Sequence, residues 1–100
     1  MAQLIVVYWR DIPAQVIVKK GRASAKRQLD VRFEQAIDRA AMRARLRDTD
    51  SYLAQWRRAA PAECGDDLEA EAAAAAARLE SEYDEARLKQ LVESGGLAGA

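Results

Sequence analysis

Leu4-Ile5-Val6-Val7-Tyr8-Trp9 is an unbroken apolar run, rich in β-branched and aromatic side chains, and it predicts a strand. Both alternating sets are apolar: Ile5, Val7 and Trp9 on one side, Leu4, Val6 and Tyr8 on the other. A strand of that kind expects cover on both faces, from helices, from another chain, or one from each. Arg10-Asp11-Ile12-Pro13-Ala14 then interrupts the pattern. Pro13 has no N–H and a fixed φ, and it biases Ile12 to an extended shape. Gln15 to Lys19 reads as a second strand, so the two form an antiparallel hairpin joined by about five residues. Gly21 ends it. Lys20 to Arg27 is basic and rich in small residues, a loop with room for a third short strand.

From Asp30 the period changes from two to that of a helix. Asp30 takes the N-cap position, and Phe33, Ile37, Ala40 and Ala44 recur at helical spacing up to about Arg47. Asp48-Thr49-Asp50-Ser51 breaks that helix and caps a second, with Tyr52, Leu53 and Trp56 on its apolar side and its end before Pro61. Ala60 to Gly65 reads as a linker. Asp66 and Asp67 open the last and longest helix, where the helix dipole favours acidic residues. Its stripe is Leu68, Ala72, Ala75, Leu79, Tyr83 and Ala86, and Glu85 stands four residues before Lys89 as a favourable surface pair. Carried to Val92, this helix would be about 40 Å long. That is more than a hairpin and two short helices can cover, so part of it is expected to project or to pack on another chain. Ser94-Gly95-Gly96 stops it, and Leu97 to Ala100 reads as a loose tail.

These elements give an α+β fold: an N-terminal β-hairpin or small antiparallel sheet packed against two to three helices, with a long C-terminal helix. Residues 1–93 form one domain and 94–100 a flexible tail. A two-stranded sheet is marginal in water, so the hairpin is expected to gain a strand within the chain or to pair across a dimer.

Chemistry narrows the picture by exclusion. The 100 residues contain no histidine and one cysteine, which rules out a histidine relay, an internal disulfide and a cysteine zinc site. No apolar run approaches a membrane span or a signal peptide, and the chain is expected to be cytoplasmic. Net charge is zero, yet residues 1–58 carry thirteen Lys/Arg and six Asp/Glu, and residues 59–100 three and ten. The +7 and −7 halves can neutralise each other within one chain, or one half can face a partner or a second copy.

Four groups of side chains are candidates for function. Cys64 sits beside Glu63, Asp66 and Asp67, which oppose a thiolate, and reads as an incidental linker residue. Glu34 and Asp38 share one helix face among Arg32, Arg39 and Arg43, and read as a solvated ion-pair face. Arg32, Arg39, Arg43 and Arg47 form a basic stripe that could join Lys19, Lys20, Arg22, Lys26 and Arg27 in one phosphate-binding surface, although no nucleic-acid signature accompanies it. Trp9-Arg10-Asp11-Ile12-Pro13 is either a rigid hairpin turn or a partner-binding loop.

Three segments together carry a family resemblance: Tyr8-Trp9-Arg10-Asp11-Ile12-Pro13-Ala14-Gln15-Val16, Arg32-Phe33-Glu34-Gln35-Ala36-Ile37-Asp38-Arg39-Ala40-Ala41-Met42, and Tyr52-Leu53-Ala54-Gln55-Trp56-Arg57. Over residues 4–92 the chain resembles a small bacterial "virulence factor" domain family, found as stand-alone proteins and as a module of larger conserved virulence factor proteins. Similar stand-alone members occur near genes for methyltetrahydrofolate and corrinoid one-carbon chemistry, which implies an accessory role beside such enzymes. The resemblance implies no cofactor and no catalytic residue. The expected function is therefore a non-catalytic accessory or subunit protein that binds another protein or a second copy of itself, with Trp9, Arg10, Asp11, Ile12, Pro13, Arg39 and Arg43 as partner-binding residues. Nucleic-acid binding through the basic first half is the alternative, and neither a metal nor a membrane is expected.

Overall fold

A computed structural model describes residues 1–46 and 48–98. The elements run β1 (Ala2–Trp9), β2 (Ile12–Lys20), β3 (Ala23–Gln28), α1 (Val31–Arg43), α2 (Thr49–Leu53), β4 (Trp56–Arg58), β5 (Ala62–Cys64), α3 (Leu68–Glu82) and α4 (Glu85–Glu93). The fold is α+β, with an antiparallel sheet of five strands in the order β3-β2-β1-β4 and β5 also paired to β1.

The expected hairpin is present but tighter. Trp9 pairs with Ile12, so Arg10 and Asp11 alone make the turn, and the extra residue of the sequence is absorbed as a bulge at Ala14. Arg10 carries a left-handed φ of 52°, a strained conformation for a side-chain-bearing residue that its surroundings must hold in place. The basic segment after Gly21 is a full strand. Ala25 is buried beside Val18, while Ser24, Lys26 and Arg27 stay exposed.

The missing strands come from the chain itself. Val7, Tyr8 and Trp9 pair with β4, and Ala2, Gln3 and Leu4 pair with β5. The two short strands act as one edge interrupted around Pro61, with the Ala59 N–H donating to the Val6 carbonyl at 2.9 Å. The end of the expected second helix, as β4, and the expected linker, as β5, thus cover the open side of β1, and β1 becomes a central strand. Strand pairing across a dimer is not needed to satisfy its backbone. The remaining long edge, β3, is polar and basic, a composition that discourages edge-to-edge association.

The alternate side chains divide the sheet. Ala2, Leu4, Val6, Val16, Val18 and Ala25 lie on the face covered by α3, and they join one core with Ala72, Ala75, Ala76 and Leu79. The small α3 residues let the helix approach the strands closely. Ile5 and Ile17 pair on the opposite face and are buried outside that core. The register surrounds them with Gln3, Gln15, Lys19 and Lys26, whose stems can shield apolar neighbours.

The single long C-terminal helix is corrected: two helices occupy residues 68–93. Asp67 caps α3 by accepting from the Ala70 N–H at 3.2 Å, and Asp84 caps α4 by accepting from the Arg87 N–H at 2.9 Å. Between them Tyr83 leaves helical geometry. The Arg32 guanidinium donates to the Glu80 and Tyr83 carbonyls, satisfying acceptors that the end of α3 leaves open. The break lets α4 fold back against α1. At fifteen residues α3 is only about 22 Å long, so the projecting helix that suggested a second chain is absent. Glu85 and Lys89 stay more than 4 Å apart, so that expected pair is not made.

Helix α1 starts where expected, but Asp30 does not cap it through its side chain. The Asp30 N–H instead donates to Glu80 at 2.9 Å, and its carboxylate lies 3.6 Å from Arg32. The helix ends at Arg43 rather than near Arg47, which lies outside the described residues. Arg45 (φ 61°) and Leu46 close it by donating to the Met42 and Ala41 carbonyls. The second helix is a five-residue turn that gives way to β4 at Trp56.

Candidate functional site

The hairpin turn is a mechanical joint. Trp9, Ile12 and Pro13 are fully buried, which withdraws their side chains from any surface partner. Their place in the sequence pattern is the same, but the fold uses them as core. The Trp9 indole donates to the Tyr52 carbonyl at 3.0 Å and packs on the Tyr52 ring. The backbone N–H of Arg10 donates to the Gln55 carbonyl, and its guanidinium donates to the Gln55 side chain at 3.1 Å and the Gly95 carbonyl at 3.0 Å. These bonds hold the left-handed backbone of Arg10. Asp11 accepts from Arg57 at 3.0 Å and from the Ala98 N–H at 2.6 Å, while its own N–H donates to Gly96. Arg10 and Asp11 therefore do not pair with each other; each is claimed by another part of the chain.

The segment expected to be a loose tail meets this turn at Gly95, Gly96 and Ala98, and residues 99–100 lie outside the described ones. The α4 helix ends with the Gly96 and Gly95 N–H groups donating to the Leu91 and Val92 carbonyls, both glycines having positive φ. A Cβ on Gly96 would stand 2.8 Å from the Trp9 ring. We expect Gly96→Ala to cost about 2–4 kcal/mol, from overpacking and an unfavourable φ together. Gly21→Ala, at φ 59° with nothing within 4 Å, should cost about 1 kcal/mol. Chemical denaturation of the two variants checks the difference.

Arg39 and Arg43 are exposed on α1. Arg39 lines an open groove of about 450 Å³ between α1 and α4, with Arg32, Gln35, Glu85 and Lys89 beside it and Ala36, Leu88 and Val92 forming its apolar floor. Arg32 is engaged on α3, which leaves Arg39 and Lys89 as the groove's available cations. Among the described residues no carboxylate lies within 4 Å of either. Of the other basic residues, Lys19, Lys20, Arg22, Lys26 and Arg27 ride on the β2–β3 hairpin, and Lys20 is paired with Asp66 at 3.0 Å. That bridge joins the two oppositely charged halves of the chain. It also holds the Asp66 carboxyl below its ordinary pKa.

On the other flank of α1, Glu34 and Asp38 look into a smaller cavity of about 200 Å³ that also exposes Tyr52, Trp56, Gln28, Leu29, Ile37 and Ala14. The expected ion pairs with Arg32, Arg39 and Arg43 are not formed within 4 Å. The Tyr52 and Trp56 rings stand nearly perpendicular, at 81° with centroids 6.2 Å apart. Burial raises the Tyr52 phenol pKa above its ordinary value, and the nearby Asp38 and Glu34 charges add to the rise.

Cys64 lies on β5, half-buried. Burial raises its thiol pKa, and Glu71 and Asp66 raise it further, which disfavours the thiolate. Among the described residues no three acidic or cysteine side chains gather as a metal site, and no helix is long and apolar enough to cross a membrane. Sequence reasoning missed Gln55, Arg57, Gly95 and Gly96 as partners of the turn. Its available signal was the pair of adjacent glycines just after a helix, a place that favours left-handed backbone and close approach.

The site described here is a small α+β domain's clamped hairpin with two grooves flanking one helix. Residues 7–92 match the virulence factor family, and the chain belongs to that family. No curated protein and no solved structure matches it.

Proposed function

We propose that this protein is a non-catalytic accessory subunit that binds another protein in the cytoplasm, through the groove between α1 and α4. The observation that carries the reading is the groove itself: Arg39 and Lys89 stand over an apolar floor of Ala36, Leu88 and Val92, with Glu85 also on the lining and, among the described residues, no carboxylate within 4 Å of either cation. Such a surface suits an acidic segment with apolar anchors, because the floor removes apolar area from water while the cations select the charge. The absence of histidine and the raised thiol pKa of Cys64 support a binding role over catalysis. The resemblance of the chain to stand-alone members near one-carbon genes makes an enzyme of tetrahydrofolate or corrinoid chemistry the partner to test first.

The test is affinity capture from the native cell with the full chain and with Arg39→Glu, followed by a binding measurement with the purified captured protein. The expected result is stoichiometric retention and an affinity that Arg39→Glu weakens about tenfold or more, at an unchanged unfolding midpoint. Retention of nothing, or equal binding by the variant, overturns the reading. A second reading is nucleic-acid binding, favoured by the exposed Lys19, Arg22, Lys26 and Arg27 on the β2–β3 hairpin. It would show as RNA or DNA binding that weakens steeply with salt.

A further inference from the structure

Helix α1 separates two sites of opposite character. Arg32, Gln35, Ala36 and Arg39 face the groove towards α4, whereas Glu34, Ile37 and Asp38 face the cavity towards α2 and β4. The second cavity lies outside the proposed protein-binding groove.

Two carboxylates one helical turn apart are by themselves an ordinary solvated face. Here they are joined to an aromatic corner. Tyr52 and Trp56 meet at 81°, and Leu29, Ile37 and Ala14 supply an apolar base. At about 200 Å³ the space is below the range of about 300–1,000 Å³ typical of drug-sized ligands. It admits a compact head group only. Negative charge, π-faces and apolar surface together repel anions. They also fit a hard metal ion poorly, because such ions take six or more oxygen ligands, and here two carboxylates, Gln28 and the Tyr52 hydroxyl are the lining side chains that could offer oxygen. An organic cation uses all three features. Its charge is attracted to the carboxylates and the ring faces, and its alkyl groups replace water on the apolar base.

We propose that the cavity lined by Glu34, Asp38, Tyr52 and Trp56 binds a compact alkylammonium ion, a free small molecule whose positive charge is surrounded by methyl or methylene groups. The aromatic rings meet its alkyl surface, and Glu34 and Asp38 balance its charge from α1.

The experiment is a titration of the full chain with tetramethylammonium chloride, followed through the Tyr52 and Trp56 ring signals in NMR spectra, against sodium chloride at matched ionic strength. Tert-butyl alcohol serves as a neutral ligand of similar shape. The expected result is a saturable shift of both rings with tetramethylammonium, none with the alcohol, and binding about tenfold weaker in the E34Q/D38N double variant. Both substituted residues are exposed, so the fold should survive; circular dichroism checks it, and Asp38→Asn alone replaces the double variant if that does not fold. No saturable shift, a shift confined to other residues, equal binding of the alcohol, or indifference to the carboxylate substitutions overturns the proposal.

Discussion

Trp9→Ala is expected to lower the stability of the domain by about 3–5 kcal/mol. The indole is fully buried, its N–H donates to the Tyr52 carbonyl at 3.0 Å, and Gly96 approaches its ring so closely that even a methyl group does not fit between them. Alanine would leave a cavity at the point where β1, α2 and the end of α4 meet. It would also take from the Tyr52 carbonyl the nearer of its two donors, leaving the Gln55 N–H at 3.3 Å. Trp9→Phe separates these effects: it retains much of the apolar volume but loses the hydrogen bond, and should cost less than Trp9→Ala. Urea unfolding monitored by far-UV circular dichroism measures both. An alanine variant within about 0.5 kcal/mol of the parent, the range of an inconsequential surface change, would show that the turn is not held from beneath by this ring.

Leu79→Ala should cost about 2–5 kcal/mol. Leu79 is the largest side chain among the buried residues of α3, whose other buried positions are Ala72, Ala75 and Ala76. Alanines bring the helix near the sheet but remove little area from water apiece, so the helix depends heavily on one leucine. The strands beneath are pinned by their ladders and cannot collapse into the space, which places the cost above a simple transfer term. The same unfolding measurement applies, and a negligible change would mean that α3 is held by its alanine contacts alone.

The fold class was legible because periodicity records burial. The apolar run of β1 and the three-four spacing of Phe33, Ile37 and Ala40 both mark side chains that the structure buries or half-buries. The short strands were hidden for a different reason. Trp56–Arg58 and Ala62–Cys64 are stabilised by pairing with β1, residues about fifty to sixty positions away, and three-residue segments hold too little local pattern to announce that. The division of the last helix was visible only in part. Asp84 is a good cap residue, yet the helical spacing of Leu79, Tyr83 and Ala86 runs across it, and the break is completed by Arg32 from α1.

The candidate site divides the same way. Trp9, Ile12 and Pro13 stood out because an aromatic, a charge pair and a proline meet at the hairpin tip, and the structure buries the Trp9, Ile12 and Pro13 side chains in the core. Arg39 was found by charge and does line a groove. The aromatic cavity escaped notice because Glu34 and Asp38 on α1 and Tyr52 and Trp56 beyond it belong to separate stretches, and their meeting depends on how α2 returns to the sheet.

The grip of the hairpin turn on residues 95–98 also sets an order of events during synthesis. Trp9 and Arg10 leave the ribosome about forty-five residues before Tyr52 and Gln55, and some eighty-five before Gly95 and Gly96 close over them. A newborn hairpin can therefore be supported only in part, by Tyr52 and Gln55, until residues 95–98 arrive. Contacts so distant in sequence slow folding, because a long loop must be closed before they contribute. The joint between the first two strands is thus fully locked only late, and closure of the domain waits until residues 95–98 have emerged.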